Sequence, residues 1–224
     1  MTLSVTARCE ETGQLGIAIS SSSIAVGARC PWLHAGVGAV SSQNITLPSL
    51  GQQILLHLDQ GSDLNVALKR ALAGDRFSDY RQVAAIDIQG NTAFFSGSKT
   101  LGIWSMAEGK NCIAAGNMLA NKGVTASMCA AFEAASGELA SRLLAALQAG
   151  VAAGGEAGPL HSAALKLVDD YPWPLVDLRI DWTVHDPVGQ LTQLWLAYEP
   201  QMEAYVTRAL DPREAPAYGV PGDE

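Results

Sequence analysis

The order of strand-like and helix-like segments constrains the fold of this 224-residue chain more than any single motif. Alternating apolar residues and turn residues predict strands at residues 4–9, 15–20, shortly after 23, 35–42, 81–88, 92–96, 112–115, 162–168 and 175–182. Apolar residues at helical spacing predict helices at residues 49–60, 62–73, 122–134, 139–149 and 187 to about 205. Paired helices between runs of strands do not suit a parallel βαβ fold. We therefore predict an α+β fold of two antiparallel sheets packed face to face, each covered by helices.

The size and composition of the chain predict one large domain. Hydrophobic residues make up 48% of the sequence, which is enough for a sizeable core. No internal repeat and no domain-sized linker interrupts the pattern, so residues 1–210 are predicted to form a single domain. Residues 211–224 are rich in proline, glycine and charge and are predicted to be a loosely held tail. The glycine-rich stretch 150–159 is predicted to be the most flexible segment, and the sequence leaves open whether it forms a lid.

The charge, hydropathy and cysteine patterns exclude several classes of function. The net charge is −8 and the 14 basic residues are dispersed, so neither nucleic acid nor a membrane surface is predicted as a partner. No apolar run approaches the length of about 18 residues that spans a membrane. The four cysteines are scattered and the histidines lack ligand spacing, so no metal and no cofactor is predicted. These patterns together predict a protein of the reducing cytoplasm.

The first segment of the chain carries a possible nucleophile. Thr2 follows the initiator methionine directly and begins a strand-like stretch. Initiator methionine is normally removed when the next residue is small, which would leave Thr2 with a hydroxyl and a free α-amine. An α-amine has a pKa of about 7.7–8.0, so it can take the hydroxyl proton near neutral pH. The alternative is an ordinary strand-forming threonine after a start codon.

Several segments in a fixed order resemble a known family. They are residues 2–8, 11–16, 25–32, 35–40, 95–98, 116–119, 153–156, 161–165 and 176–179. On these segments the chain resembles a bacterial family of little-characterised proteins with the N-terminal-nucleophile hydrolase fold. The resemblance implies a four-layer αββα sandwich and, in the wider superfamily, amide-bond hydrolysis by an N-terminal Thr, Ser or Cys. Active members usually place a Lys or Asn near the nucleophile, whereas Arg29 is the nearest cation in the third β region here.

Polar residues at the ends of predicted strands are candidates for a site around Thr2. Asn117 follows a strand, where its amide could donate a hydrogen bond to an oxyanion; the alternative is a turn asparagine. Ser20 and Ser21 would lie beside Thr2 if the first two strands pair antiparallel, and could line a polar pocket or merely form a turn. Asn44 ends another strand and could bind substrate or cap the following turn.

Three ionisable residues are candidates for substrate recognition. Arg29 could bind a substrate carboxylate or lower the pKa of the Thr2 amine; the alternative is an ordinary ion pair. Glu156 and His161 flank the glycine-rich stretch and could recognise substrate; the alternative is plain solvent exposure.

These observations predict a hydrolase acting on a small amide, a ureide or a short peptide, with Thr2 and Asn117 as its catalytic residues. The first alternative is a catalytically silent protein that binds a small molecule or assembles on the same fold. A second alternative is a thiol enzyme that uses Cys30. The Trp-rich segment at residues 171–174 makes a homodimer the predicted oligomer.

Overall fold

A computed structural model describes residues 2–222, which form ten strands and six α-helices. The strands are β1 (Thr2–Arg8), β2 (Leu15–Ser21), β3 (Pro31–His34), β4 (Gly38–Asn44), β5 (Arg81–Asp87), β6 (Thr92–Ser96), β7 (Ser105–Gly109), β8 (Cys112–Asn117), β9 (Ser162–Val168) and β10 (Val176–Ile180). The helices are α1 (Ser49–Asp59), α2 (Leu64–Ala73), α3 (Val124–Ala134), α4 (Leu139–Ala152), α5 (Pro187–Tyr198) and α6 (Met202–Leu210). None of these helices is long and apolar enough to cross a membrane.

The strands form two sheets in which every neighbouring pair is antiparallel. The larger sheet has the order β10-β9-β2-β1-β8-β7 and the smaller one has the order β3-β4-β5-β6. The prediction of an α+β fold with two antiparallel sheets is therefore confirmed. Strand β1 lies inside the larger sheet, between β2 and β8, so its first residue is enclosed by the ends of two neighbouring strands.

Strands of the two sheets contact each other, and helices pack against each sheet. Strands β1 and β2 contact β4, and β8 contacts β5. Helices α3, α4 and α5 pack on the larger sheet, whereas α1 and α2 pack on the smaller one. Strand β1 shows how the sequence produces this arrangement. Leu3, Val5 and Ala7 join the core beneath the helices, while the alternate residues Ser4 and Thr6 are buried but polar.

Side-chain caps mark the starts of two of the predicted helices. The side chain of Asp63 accepts hydrogen bonds from the backbone N–H groups of Asn65 and Val66 at the start of α2. Asp186 caps α5 by accepting from Gly189 N, with Pro187 in the first turn.

Three element predictions differ from the structure. The final helix was predicted to run unbroken to about residue 205, but α5 ends at Tyr198 and a single 3₁₀ turn at Glu199–Gln201 precedes α6. Pro200 in that turn lacks the N–H that a continuous helix needs. The third strand begins only at Pro31, after a 3₁₀ turn at Val26–Ala28. Strand β7 was not predicted, because a partly exposed edge strand shows little apolar alternation.

Candidate functional site

Thr2 lies at the start of β1 and only 4% of its surface is exposed. Its partners in register are Ser21, the last residue of β2, and Asn117, the last residue of β8. Thr2 Oγ1 lies 3.4 Å from Ser21 Oγ. Three residues chosen from the sequence are thus brought together at one end of the larger sheet. The predicted removal of Met1 concerns a residue outside those that the structure describes.

A row of hydroxyl groups links Thr2 to Arg29. Ser21 Oγ lies 2.9 Å from Ser23 Oγ, which accepts a hydrogen bond of 3.2 Å from Arg29 Nη2. Arg29 Nη1 donates to the carbonyl oxygen of Ala25, which holds the guanidinium in place. Because a guanidinium can only donate, Ser23 is able to direct its own proton to Ser21, and Ser21 its proton to Thr2. Arg29 is therefore connected to Thr2 through two serines.

The other candidate residues take different positions. Ser20 Oγ donates to the carbonyl oxygen of Ser162 at 2.8 Å, on the opposite face of β2 from Ser21. Asn44 donates to Tyr80 O at 2.6 Å and accepts from Leu101 N at 3.3 Å, so its amide fixes a loop.

His161 borders the site through its backbone. Its N–H donates to the carbonyl oxygen of Ser21 at 2.9 Å. Its ring contacts Thr183 O through Nδ1 at 2.8 Å and stacks on Trp182 with 4.5 Å between the ring centres. The imidazole is thereby held beside the site, next to an aromatic side chain.

A buried amide network behind Thr2 was not found from the sequence. Gln82 Oε1 accepts from Asn117 Nδ2 at 3.0 Å and from Gln43 Nε2 at 2.8 Å. Gln82 Nε2 donates to the carbonyl oxygen of Gly116 at 3.1 Å. Gln43 Oε1 in turn accepts from Ser4 Oγ at 2.8 Å, which joins the network to β1. The available signal was a glutamine next to the end residue of each of two otherwise buried strands.

This network fixes which atoms of Asn117 face the site. The residue is fully buried, and its Nδ2 is bonded to Gln82. Its Oδ1 is buried and has no hydrogen-bond partner among residues 2–222. A buried carbonyl oxygen without a partner costs about 1–3 kcal/mol, so such an atom is expected to serve a bound group. The side chain offers this acceptor directly beside Thr2, together with the second hydrogen of Nδ2.

Glu156 is the one acidic residue chosen from the sequence, and it is buried with 6% of its surface exposed. Gly154 and Gly155 precede it with φ angles of 119° and 59°, which allow the chain to turn sharply after α4. Glu156 Oε2 accepts from Ser22 N at 3.3 Å, whereas Oε1 has no partner in the described part of the chain. Burial raises the pKa of this carboxyl to about 7. The expectation of plain solvent exposure is therefore wrong for Glu156.

Exposed apolar side chains border this end of the sheet. Trp182 is 54% exposed and stacks on His161, whose backbone contacts Ser21. The carbonyl oxygens of Leu101 and Ile103 accept hydrogen bonds from the two residues that follow β8. The side chains of Leu101 and Ile103 are also exposed. We call Trp182, Leu101 and Ile103 the apolar rim.

Two clefts in the structure lie away from these residues. A cleft of about 1040 Å³ lies at the far end of β1 and is lined by Cys9, Glu138 and Arg142, among others. A smaller one of about 440 Å³ lies beside Asp63 and Asp87. No site residue predicted from the sequence lines either cleft.

Cys30, the alternative nucleophile, is buried. Burial raises the pKa of its thiol to about 11, so the thiolate is scarce near neutral pH. This environment is typical of a structural cysteine and not of a reactive one.

The fold and the site define an α+β protein of two antiparallel sheets, with a buried polar cluster around the first described residue of β1. The model of a family of unknown function, DUF1028, matches residues 2–191, and the chain belongs to this family. The crystal structure of protein SPO2555 from Silicibacter pomeroyi, matched to the same family, is 35% identical with a TM-score of 0.83. The match covers 88% of this chain and 85% of that one.

Two other solved structures are more remote. Eukaryotic HslV from Trypanosoma brucei is 10% identical with a TM-score of 0.46, over 75% of this chain and 99% of that one. Anbu (ancestral beta-subunit) from Yersinia bercovieri is 12% identical with a TM-score of 0.39, over 90% and 96%. Likenesses at these scores carry no functional conclusion. Among functionally curated proteins, none matches the chain significantly.

Proposed function

We propose that this protein is an amide-bond hydrolase in which Thr2, freed by removal of Met1, is the nucleophile. The substrate is a small amide, a ureide or a short peptide. One observation carries the proposal: Thr2 is buried in register with Ser21 and Asn117, so its hydroxyl lies among polar groups at the start of β1. A merely structural threonine at the beginning of a strand has no need of an unpaired buried acceptor beside it.

In the proposed reaction, Thr2 Oγ1 attacks the carbonyl carbon and its proton passes to the α-amine of the same residue. The second hydrogen of Asn117 Nδ2, with backbone N–H groups, stabilises the oxyanion. The amine then gives the proton to the leaving nitrogen, and an acyl ester forms on Thr2. Water attacks this ester with the amine as base, which releases the acid and restores the hydroxyl. The hydroxyl row from Arg29 favours the orientation in which Thr2 Oγ1 accepts from Ser21 and directs its own proton to the amine.

The fold proposed with this activity is the four-layer αββα sandwich of N-terminal-nucleophile hydrolases. It is supported by the contacts between the inner faces of the two sheets and by the helices on both outer faces. It is also supported by the position of β1, an inner strand that begins at the proposed nucleophile.

The apolar rim favours a substrate with an apolar or aromatic group next to its amide. Trp182 can stack on a planar group, because its ring is exposed and is held by His161. Leu101 and Ile103 offer apolar surface on the β8 side of Thr2.

A panel of small amides, ureides and dipeptides that differ in apolar character tests this proposal. Processed wild-type protein is expected to hydrolyse at least one of them, and Thr2→Ala is expected not to. Full turnover by the Thr2→Ala variant would remove Thr2 from the mechanism.

The competing function is a silent binding or assembly protein on the same fold. It is favoured by the small exposure of Thr2 and by the position of both described clefts away from it. Intact-mass measurement separates the two, since a retained Met1 blocks the Thr2 amine and favours the binding protein.

A further inference from the structure

Glu156 lies beyond the Thr2 end of β1. Strand β1 is flanked by β2 and β8; past Thr2, β2 continues directly into Ser22, and β8 continues through Met118 to Leu119. Leu119 forms an antiparallel bridge with Glu156, and Ser22 N donates to Glu156 Oε2. Both chains that flank β1 therefore hold Glu156 beyond the Thr2 end of that strand.

The segment around Glu156 is fixed by several backbone hydrogen bonds. Gly155 O accepts from Ala120 N at 3.0 Å, and Ala157 N donates to Met118 O at 2.9 Å. Gly155 N also donates to the last turn of α4, at Gly150 O. Regular backbone hydrogen bonds on both sides of Glu156 therefore hold its carboxyl in a fixed position.

The Glu156 carboxyl and the Asn117 amide each leave one hydrogen-bond acceptor without a donor at the Thr2 end of β1. Glu156 Oε1 and Asn117 Oδ1 are both buried acceptors without a partner among the residues that the structure describes. Two buried acceptors at this end of the strand can be satisfied by one group with several N–H donors. A terminal α-ammonium has three such hydrogens, whereas a peptide N–H has one.

We propose that Glu156 is the positioning and proton-holding residue of the mature Thr2 α-amine, with Oε1 accepting an N–H of that amine. In its carboxylate form it takes one proton from the ammonium nitrogen, which leaves a neutral amine and a neutral carboxylic acid. No other bond changes in this step. The neutral amine is then ready to receive the Thr2 hydroxyl proton. The inference rests on the proposed function only in requiring Thr2 as the first residue.

The electrostatic environment agrees with a shared proton. Burial makes the charged form of Glu156 costly, so its pKa lies close to that of an α-amine. Two such groups titrate as a pair, and the carboxylate favours the charged form of the amine. Removing the carboxylate is therefore expected to lower the pH at which the amine loses its proton.

The test is a pH titration of Thr2 itself. Protein beginning at Thr2 is obtained by cleaving an N-terminal fusion directly before Thr2, and its mass is checked. Threonine methyl NMR then follows the Thr2 signal, assigned with Thr2→Ser, in wild type and in Glu156→Gln. We expect the Thr2 amine of wild type to lose its proton at a pH at least one unit higher than in Glu156→Gln, which is a tenfold or larger difference in proton affinity. Equal titration in the two proteins would overturn the inference.

The matched control is Glu138→Gln. Glu138 is another carboxyl whose pKa is raised, by partial desolvation and by the charges of Glu199 and Glu203, but it lies on the surface and lines the cleft at the far end of β1. Its variant is expected to leave the Thr2 titration unchanged, and an equal shift in both variants would contradict a specific pair. If Glu156→Gln does not fold, the pH titration of Thr2 in the wild type alone still tests the pair. Two coupled steps support the pair, and a single step near the ordinary pKa of an α-amine refutes it.

The Thr2 titration tests the Glu156–amine pair and the substrate panel tests the hydrolase, so either can fail without the other. A Thr2 titration that depends on Glu156, in a protein that cleaves no amide, leaves the pair intact and removes the hydrolase. Hydrolysis by Thr2, together with a Thr2 titration that does not depend on Glu156, would keep the hydrolase and remove the pair.

Discussion

Asn117 and Gln82 are joined by a hydrogen bond of 3.0 Å that runs from the larger sheet to the smaller one. Because Gln82 also accepts from Gln43, its oxygen serves two buried donors at once. This bond fixes the Asn117 amide beside Thr2. The network ties the integrity of the site to the packing of the two sheets.

Replacing Gln82 by leucine is expected to destabilise the fold. The change leaves the donors of Asn117 and Gln43 buried without their acceptor, at a cost of roughly 2–4 kcal/mol. Urea unfolding measures this difference. Gln53→Leu, on an exposed face of α1, is the control and should change stability by less than about 0.5 kcal/mol. Equal effects of the two substitutions would show that the network contributes no stability.

Replacing Thr2 tests the nucleophile. On any substrate found in the panel, Thr2→Ala should lower kcat by at least about 10³-fold, because the acyl ester of the proposed reaction forms on the Thr2 hydroxyl. Thr2→Ser keeps the hydroxyl and should keep measurable turnover. Steady-state kinetics on mass-checked protein decides, and a Thr2→Ser variant as inactive as Thr2→Ala would argue against a hydroxyl nucleophile.

Replacing Asn117 by alanine is expected to lower kcat by about 10²–10³-fold with a smaller change in KM, because the lost donor acts on the oxyanion. Asn44→Ala is the comparison, since the Asn44 amide bonds to Tyr80 and Leu101 instead. A loss of kcat in Asn44→Ala as large as in Asn117→Ala would speak against the assigned role.

Glu156 makes stability depend on pH. Its pKa is raised from 4.5 to about 7 by burial, so the folded state holds a proton that the unfolded state releases. The contribution of the Glu156 carboxyl to folding stability is therefore fully present below about pH 4.5, falls as the pH rises to about 7, and does not change further above that pH. The total fall is roughly 3 kcal/mol at most.

The Glu156→Gln variant should lack this fall. Denaturant unfolding at pH 5 and pH 8 measures both proteins. A wild type with the same pH dependence as Glu156→Gln over this range would show that the carboxyl titrates normally.

The apolar rim makes a prediction about substrate choice. Trp182→Ala should raise KM for an aromatic amide by about 3–10-fold and leave a small polar amide unaffected. Trp173→Ala is the matched control, because Trp173 stacks on Tyr171 at 5.1 Å, away from His161. An equal rise in KM for both substrates would remove the rim from recognition.

The features that the sequence predicted well depend on neighbouring residues. The predicted helices that start near residues 62 and 187 begin at side-chain caps, Asp63 and Asp186, which act within one helical turn, so a short stretch of sequence is enough to place these starts. The first two strands do pair antiparallel, joined by a short turn with Gly13 at positive φ, and this is the condition under which Ser21 was expected beside Thr2.

The features that were missed depend on contacts between distant segments. Gln82 and Gln43 matter because two sheets bring them together with Asn117, and no local pattern encodes that meeting. Glu156 follows two glycines, a context typical of exposed loops, yet pairing with Leu119 buries it. Ser20 and Ser21 look alike in sequence, and only the strand register separates their faces.

The central claim is tested most directly by peptide mass mapping of the native protein after exposure to an electrophile that acylates hydroxyl groups, such as a β-lactone. We predict an N-terminal peptide that begins at Thr2 and carries the acyl group, and no such adduct in Thr2→Ala. An N-terminal peptide that still begins with Met1, or an unmodified Thr2 peptide, would contradict the account.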